Sequence, residues 1–264
     1  MVRPGIVATA VVIVTLLASP APAQIEPQRS HEVSTQALKA ARLSYERARK
    51  HFEKKDLEKT VKELESSLKR APELSEAHFL YAKVEYLQKR YPEALDRMTR
   101  AEATYESSRN AYLAAHAESQ REVQRLRDRQ DVVLANLRAQ LSQAASGSQR
   151  SLIEAEIAEA EHARDEYERR LLEQPQVGTG MPADYHFFHG NVLLRLNRYD
   201  EAVARYRQAL EANPAHADAS NNLASIYLSA RQPGAALEVL EKAEAAGATV
   251  NPELKRAVLA AQSR

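Results

Sequence analysis

Cysteine and tryptophan are both absent, glycine occurs only seven times, and no long apolar run follows residue 18. Each shortage excludes something. Without cysteine there is no disulfide framework, zinc–thiolate centre, cysteine nucleophile or cysteine-linked lipid anchor. So few glycines in a chain rich in Ala, Glu, Arg and Leu leave little room for phosphate-cradling loops and point to helices. An excess of one charge is missing too. With 37 basic and 36 acidic residues the formal net charge is +1, which speaks against nucleic acid as a partner. No H-E-x-x-H, G-x-S-x-G, Gly-Lys-Ser/Thr or dinucleotide fingerprint is present. What is there is 264 residues, 44% of them hydrophobic, enough for a sizeable core in one or two domains.

The N-terminus reads Met1-Val2-Arg3, an apolar run from Ile6 to Ala18, then Ser19-Pro20-Ala21-Pro22-Ala23. A single positive charge, about a dozen apolar residues and a small-residue A-x-A site predict a secretory signal over 1–23, cut after Ala23. A membrane anchor needs roughly 20 apolar residues, and this run is shorter and ends in prolines. The mature chain is expected to be exported, periplasmic or secreted, and to have no membrane span.

A period of 34 residues organises much of the rest. Laying Ala183–His216 over Ala217–Val250 aligns Gly190 with Ala224, Leu193 with Tyr227, Ala202 with Ala236, Tyr206 with Leu240 and Ala209 with Ala243. Small residues thus fall at block positions 8, 20 and 27, bulky ones at 11 and 24. Ser75–Ser108 repeats the pattern with Ala82, Ala94, Met98 and Ala101. Ala41–Leu74 is the weakest copy: it keeps Ala48, Leu64 and Pro72 but has Thr60 and Ser67 at positions 20 and 27. Two antiparallel helices approach closely only where side chains are small, while larger neighbours fill the gaps. This pattern resembles the tetratricopeptide repeat, a helical-hairpin unit that must stack on neighbours to bury its faces. After the last block, Asn251 as N-cap and Pro252 at the first helical position open a covering helix, with Leu254, Val258 and Leu259 expected on its inner face.

Between Pro92 and Pro175 there is no proline and one glycine, Gly147. The span is too helix-friendly for a loop. Gly147 is expected to divide it into two arms, the second restarting at a capping box of Ser151 and Glu154. Steps of three and four link Val123, Leu126, Gln130, Val133, Leu137 and Leu141 in the first arm. They also link Ile153, Ile157, Ala160, Arg164, Tyr167 and Leu171 in the second. Such seams predict an antiparallel coiled-coil hairpin, projecting roughly 35–40 Å at ~1.5 Å per residue. Arginines of the first arm are expected to face acids of the second. Shared between chains, the same seam would make a homo-oligomer.

The fold expected is all-α, a tetratricopeptide-like solenoid of helical hairpins with an inserted antiparallel coiled coil. Its parts are a signal (1–23), an N-terminal segment (24–40), two repeats (41–108), a long helix and hairpin turning near 147 (109–172), a linker (173–182), two repeats (183–250) and a capping helix (251–264). No cofactor, metal or catalytic site is expected. His186 and His189 have a spacing that can share a metal, but they fall at packing positions of the repeat. His162 and Glu166 read as a surface pair.

The resemblance implies a concave groove lined by the first helix of each repeat and binding a protein or peptide. Carried onto this sequence, its positions 5, 9 and 12 are Tyr45, Arg49 and Phe52; Phe79, Lys83 and Tyr86; Phe187, Asn191 and Leu194; and Asn221, Ser225 and Leu228. Rings would supply buried area, and Asn and Lys would fix the main chain or an acidic side chain. The variety of the family that clamps a terminal carboxylate needs basic residues where Asp184, Phe187 and Asp218 stand. The expected function is a non-catalytic interaction scaffold of the cell envelope, with an oligomerising role for the hairpin as the alternative.

Overall fold

The computed structural model describes residues 26–175, 178 and 180–263, so the expected signal lies outside the described residues. They form ten helices: α1 (Glu26–Glu53), α2 (Leu57–Arg70), α3 (Ser75–Leu87), α4 (Tyr91–Gln143), α5 (Gly147–Leu171), α6 (Ala183–Arg195), α7 (Tyr199–Ala212), α8 (Ala217–Ser229), α9 (Pro233–Ala245) and α10 (Pro252–Gln262). None is long and apolar enough to cross a membrane. Helices α1–α2, the start of α4 with α3, α6–α7 and α8–α9 pack as four hairpins that stack in order. The expected boundary at residue 40 falls inside α1: the segment from Glu26 onward continues the first repeat helix without a break. Similarly, α4 runs unbroken from the second repeat into the first arm of the hairpin.

Each hairpin closes the same way. Lys55, Lys89, Asn197 and Arg231, all at block position 15, take a left-handed backbone with φ near +60°. This turns the chain so that the next N–H reaches back into the finished helix, as Arg90 N donates to Glu85 O at 2.9 Å and Arg198 N to Leu193 O at 3.0 Å. The small residues then set the spacing. Ala48, Ala82, Ala224, Ala94, Ala202, Ala236, Ala101 and Ala209 are fully buried between paired helices. Thr60 and Ser67, which blur the first copy in the sequence, do the same job. Thr60 Oγ1 donates within its own helix end to Asp56 O at 2.7 Å, and Ser67 Oγ donates across the pair to Ala41 O of α1 at 2.8 Å, so both hydroxyls are satisfied where the helices meet.

Helices α4 and α5 form the antiparallel hairpin, about 37 Å long at ~1.5 Å per residue. Two details differ from the sequence reading. First, the turn is Ala144–Ser146: Ser146 Oγ accepts from Gln149 N at 3.2 Å, so α5 begins at Gly147 and not at Ser151. Second, the first-arm seam passes through Leu134, 2% exposed, and not Val133, 42% exposed. Leu134 and Leu137 pack with Ile153 and Ala160, flanked by Leu141 and Ile157. The charged rows also differ from expectation. Most arginines pair within their own arm, as Arg121 with Glu118 and Arg125 with Glu122, and Arg138–Glu161 at 2.8 Å bridges the two. On α10, Val258 is buried while Leu259 is 44% exposed, so the covering face is narrower than the sequence suggested.

The insertion does not separate the two repeat pairs. Tyr185 and Val192 of α6 join Ala82, Ala94, Met98 and Ala101 in one core cluster, so the third repeat sits on the second directly. The three junctions between successive repeats use block positions 28, 7 and 23. At the first, Leu68 and Tyr81 pack in one cluster and the Arg97 guanidinium lies 4.2 Å from the Tyr81 ring centroid. At the third, Leu210, Leu223 and Val239 pack together. At the middle junction the trio is polar: buried Glu102 meets His189 Nδ1 at 2.8 Å and Arg205 at 3.1 Å.

Candidate functional site

Five of the residues assigned from the repeat register come together on the first helices of the N-terminal pair. Tyr45, Arg49 and Phe52 on α1 and Phe79 and Lys83 on α3, with Glu53 and Leu80, line a groove segment of about 210 Å³. Their spacing of three to four residues places them on one stripe of each helix. The rings are half-buried: Tyr45 and Phe52 are backed by the cluster of Ala48, Leu64, Leu80 and Val84, and Phe79 by that of Ala82, Met98 and Tyr185. Lys83 Nζ lies 4.2 Å from the Phe79 ring centroid, a cation–π contact, and burial holds its pKa below the ordinary lysine value. Burial likewise raises the Tyr45 phenol.

Phe79 also stacks on Tyr185 at 4.2 Å and meets Phe188 edge-on at 5.8 Å. Tyr86 touches Phe188 and Tyr91, and its hydroxyl accepts from Arg195 Nε at 2.9 Å. The aromatic stripe therefore serves two ends at once, offering a partly open surface and bonding the second repeat to the third. Phe188 and Arg195 were not singled out in the sequence. Phe188 sits at block position 6, beside a groove position, and only its neighbour Phe187 matched the register.

In the C-terminal pair the assigned residues are largely occupied. Phe187 packs on Tyr206 and on His216, its ring 4.7 Å from the imidazole. Asn191 Oδ1 accepts from Tyr206 Oη at 2.7 Å and from Asn222 Nδ2 at 2.8 Å, a half-buried arrangement in which the pKa of the Tyr206 phenol is pushed up to about 12 by burial. Leu194 belongs to the cluster around Leu193 and Leu223. Asn221 Oδ1 accepts from the Asn251 backbone N–H at 3.0 Å, which pins α10, and Leu228 packs in the terminal core. Ser225 Oγ turns back to Asn221 O at 2.8 Å. Asn221 and Leu228 thus help hold the end of the solenoid, where α10 covers the last repeat and engages α8 as well as α9, while Ser225 bonds within its own helix and stays exposed.

The histidine pair is part of the packing. His189 is bonded to Glu102, and His186 Nδ1 is buried without a hydrogen-bond partner. Burial lowers the His186 pKa, disfavouring the charged imidazole. No group of three or more His, Cys, Asp or Glu that could hold a metal occurs among the described residues.

No curated protein shows significant sequence similarity to the chain. Among solved structures, that of MamA is 11% identical with a TM-score of 0.47, covering 83% of this chain and 91% of that one. PilW, described as a type IV pilus biogenesis factor, is 16% identical with a TM-score of 0.40, covering 84% and 86%. TTC0263, a tetratricopeptide-repeat protein of Thermus thermophilus, is 18% identical with a TM-score of 0.36, covering 85% and 100%. The family model described as tetratricopeptide repeat matches residues 45–109 and 189–250, the two halves that flank the hairpin. With its four stacked helical hairpins and their shared small-residue positions, the chain belongs to the tetratricopeptide-repeat family.

Proposed function

We propose that the chain is a non-catalytic scaffold of the cell envelope that binds a peptide or protein segment along the first helices of its repeats. Membership of a family of interaction modules supports binding in general. The single observation that carries the site is the groove segment of Tyr45, Arg49, Phe52, Phe79 and Lys83, where half-buried rings lie beside cations. Such a surface offers apolar area at low entropic cost, with charge to fix orientation. The envelope location rests on the apolar run and A-x-A site before Gln24.

Phe79 also holds two repeats together, so the informative variant is Arg49→Glu with Phe52→Ser. Pull-down from an envelope fraction should lose its specific partners with this variant, while far-UV circular dichroism stays near wild type and the protein still melts cooperatively, at a lower Tm because Phe52 packs on the core. Equal recovery by a folded double variant would remove the groove from consideration.

A second reading has one observation behind it. Val132, Val133 and Leu152 are exposed apolar residues on the hairpin, outside its seam. A second copy could cover them, making the hairpin a self-association element. Sedimentation of the protein lacking residues 121–172 separates the two roles: loss of self-association with retained partner capture places assembly in the hairpin.

A further inference from the structure

The groove segment between α1 and α3 holds a cation that no anion of the described residues pairs with. Arg49 pairs with Glu46 at 3.3 Å, and Arg195 donates to the Tyr86 hydroxyl. Lys83 is different. Among the described residues its ammonium has neither an ion-pair partner nor a hydrogen-bond acceptor, only the Phe79 ring at 4.2 Å and the Phe188 ring at 5.9 Å. Asp184 is near enough to act on it through space but lies beyond ion-pair reach, 3.3 Å from His216 Nε2. Burial has stripped Lys83 of part of its water, and its lowered pKa reflects that loss. A half-dehydrated ammonium gains most from a carboxylate that arrives with a ligand.

We propose that this segment binds an internal aspartate or glutamate side chain of a peptide, its carboxylate meeting Lys83 Nζ while flanking apolar residues lie over Tyr45, Phe52 and Phe79. This inference rests on the groove reading above and adds the chemistry of the ligand. An internal acid fits better than a terminal carboxylate because the aromatic stripe continues on both sides of Lys83, toward Phe52 on α1 and toward Tyr86 and Phe188, so a ligand chain runs through and does not end. Glu53 on the same rim repels a second acid, so the ligand carries a single acidic residue and not an acidic run.

The test is selection of linear twelve-residue peptides displayed without free C-termini, followed by titration of the enriched peptides as C-terminal amides. The expected consensus has one Asp or Glu between apolar residues. Changing that acid to its amide should weaken binding to the wild-type protein at least ten-fold, equivalent to about 1.4 kcal/mol. On Lys83→Met, whose stem still packs on Phe79, the same change should matter less than two-fold, and Lys83→Arg should retain acid dependence. The proposal is overturned if the consensus lacks an acid, or if the acid matters equally on wild type and Lys83→Met with matching thermal melts. If no peptide is enriched, or the enriched peptides bind the Arg49→Glu, Phe52→Ser variant undiminished, the groove reading itself fails and this inference falls with it.

Discussion

Single atoms decide how closely the helices of this protein approach. At Gly190 an added Cβ would lie 2.7 Å from Tyr206 Cε1 and 2.9 Å from Cδ1, and Tyr206 is itself fully buried. The ring cannot retreat without breaking its bond to Asn191. Gly190→Ala should therefore destabilise the protein by about 1–3 kcal/mol through overpacking, seen as a lower urea midpoint at unchanged slope. Alanine serves at the aligned position 224, where the facing residue is Leu240 and not a tyrosine. The opposite outcome is expected at the turns. Lys89 holds φ at +60°, which costs an L-residue roughly 1–2 kcal/mol. Lys89→Gly should stabilise by about 0.5–1 kcal/mol once the extra freedom of the unfolded chain is subtracted, and thermal denaturation reads this directly. These turns were invisible in the sequence. Of the four residues only Asn197 favours the left-handed region; the two lysines and the arginine are placed there by the helices on either side.

Between elements, the informative contrast lies among the three repeat junctions. Positions that are apolar at the third junction are Glu102, His189 and Arg205 at the second. A buried polar group set is costly to break and gives little net stability when intact. His189→Leu should thus destabilise by about 1.5–3 kcal/mol, because the buried Glu102 carboxylate loses a hydrogen bond while keeping Arg205. The triple change Glu102→Leu, His189→Leu, Arg205→Val, which copies the third junction, should restore stability to wild type or better; a triple variant less stable than His189→Leu alone contradicts this. Periodicity predicted the helices but not these junctions, since a repeat register says which positions meet and not what chemistry a particular pair selects. The hairpin seam shows the same limit. Val133 and Leu134 are both apolar and both three or four residues from Gln130, and only the path of α5 across α4 chooses Leu134.

For the molecule as a whole, the long insertion leaves the solenoid continuous. Gln120 Nε2 donates to Arg170 O at 3.1 Å and to Glu173 O at 3.4 Å, so the two strands of the hairpin base are already adjacent. Residues 121–172 can be removed by joining Gln120 to Glu173 through a short flexible link. The core that unites α3, α4 and α6 lies outside the deletion. The shortened protein should unfold in one cooperative transition, coincident by far-UV circular dichroism and by tyrosine fluorescence, which is usable because tryptophan is absent. Two resolved transitions would mean that the repeat pairs are independent and that the hairpin couples them.

The helical class, the 34-residue register and the hairpin's existence were all determined by the sequence, because each depends on spacing along one chain: small residues recurring where helices touch, and apolar steps of three and four. So were Tyr45, Arg49, Phe52, Phe79 and Lys83, whose register put them on facing stripes of adjacent helices. Only the tertiary structure decided which of the twelve assigned residues remain available. Phe79 and Tyr86 are shared with the next repeat, while Asn221 and Leu228 are taken by α10. Burial and bonding are properties of what a side chain meets, and the partners that meet these residues lie up to 109 positions away in the chain.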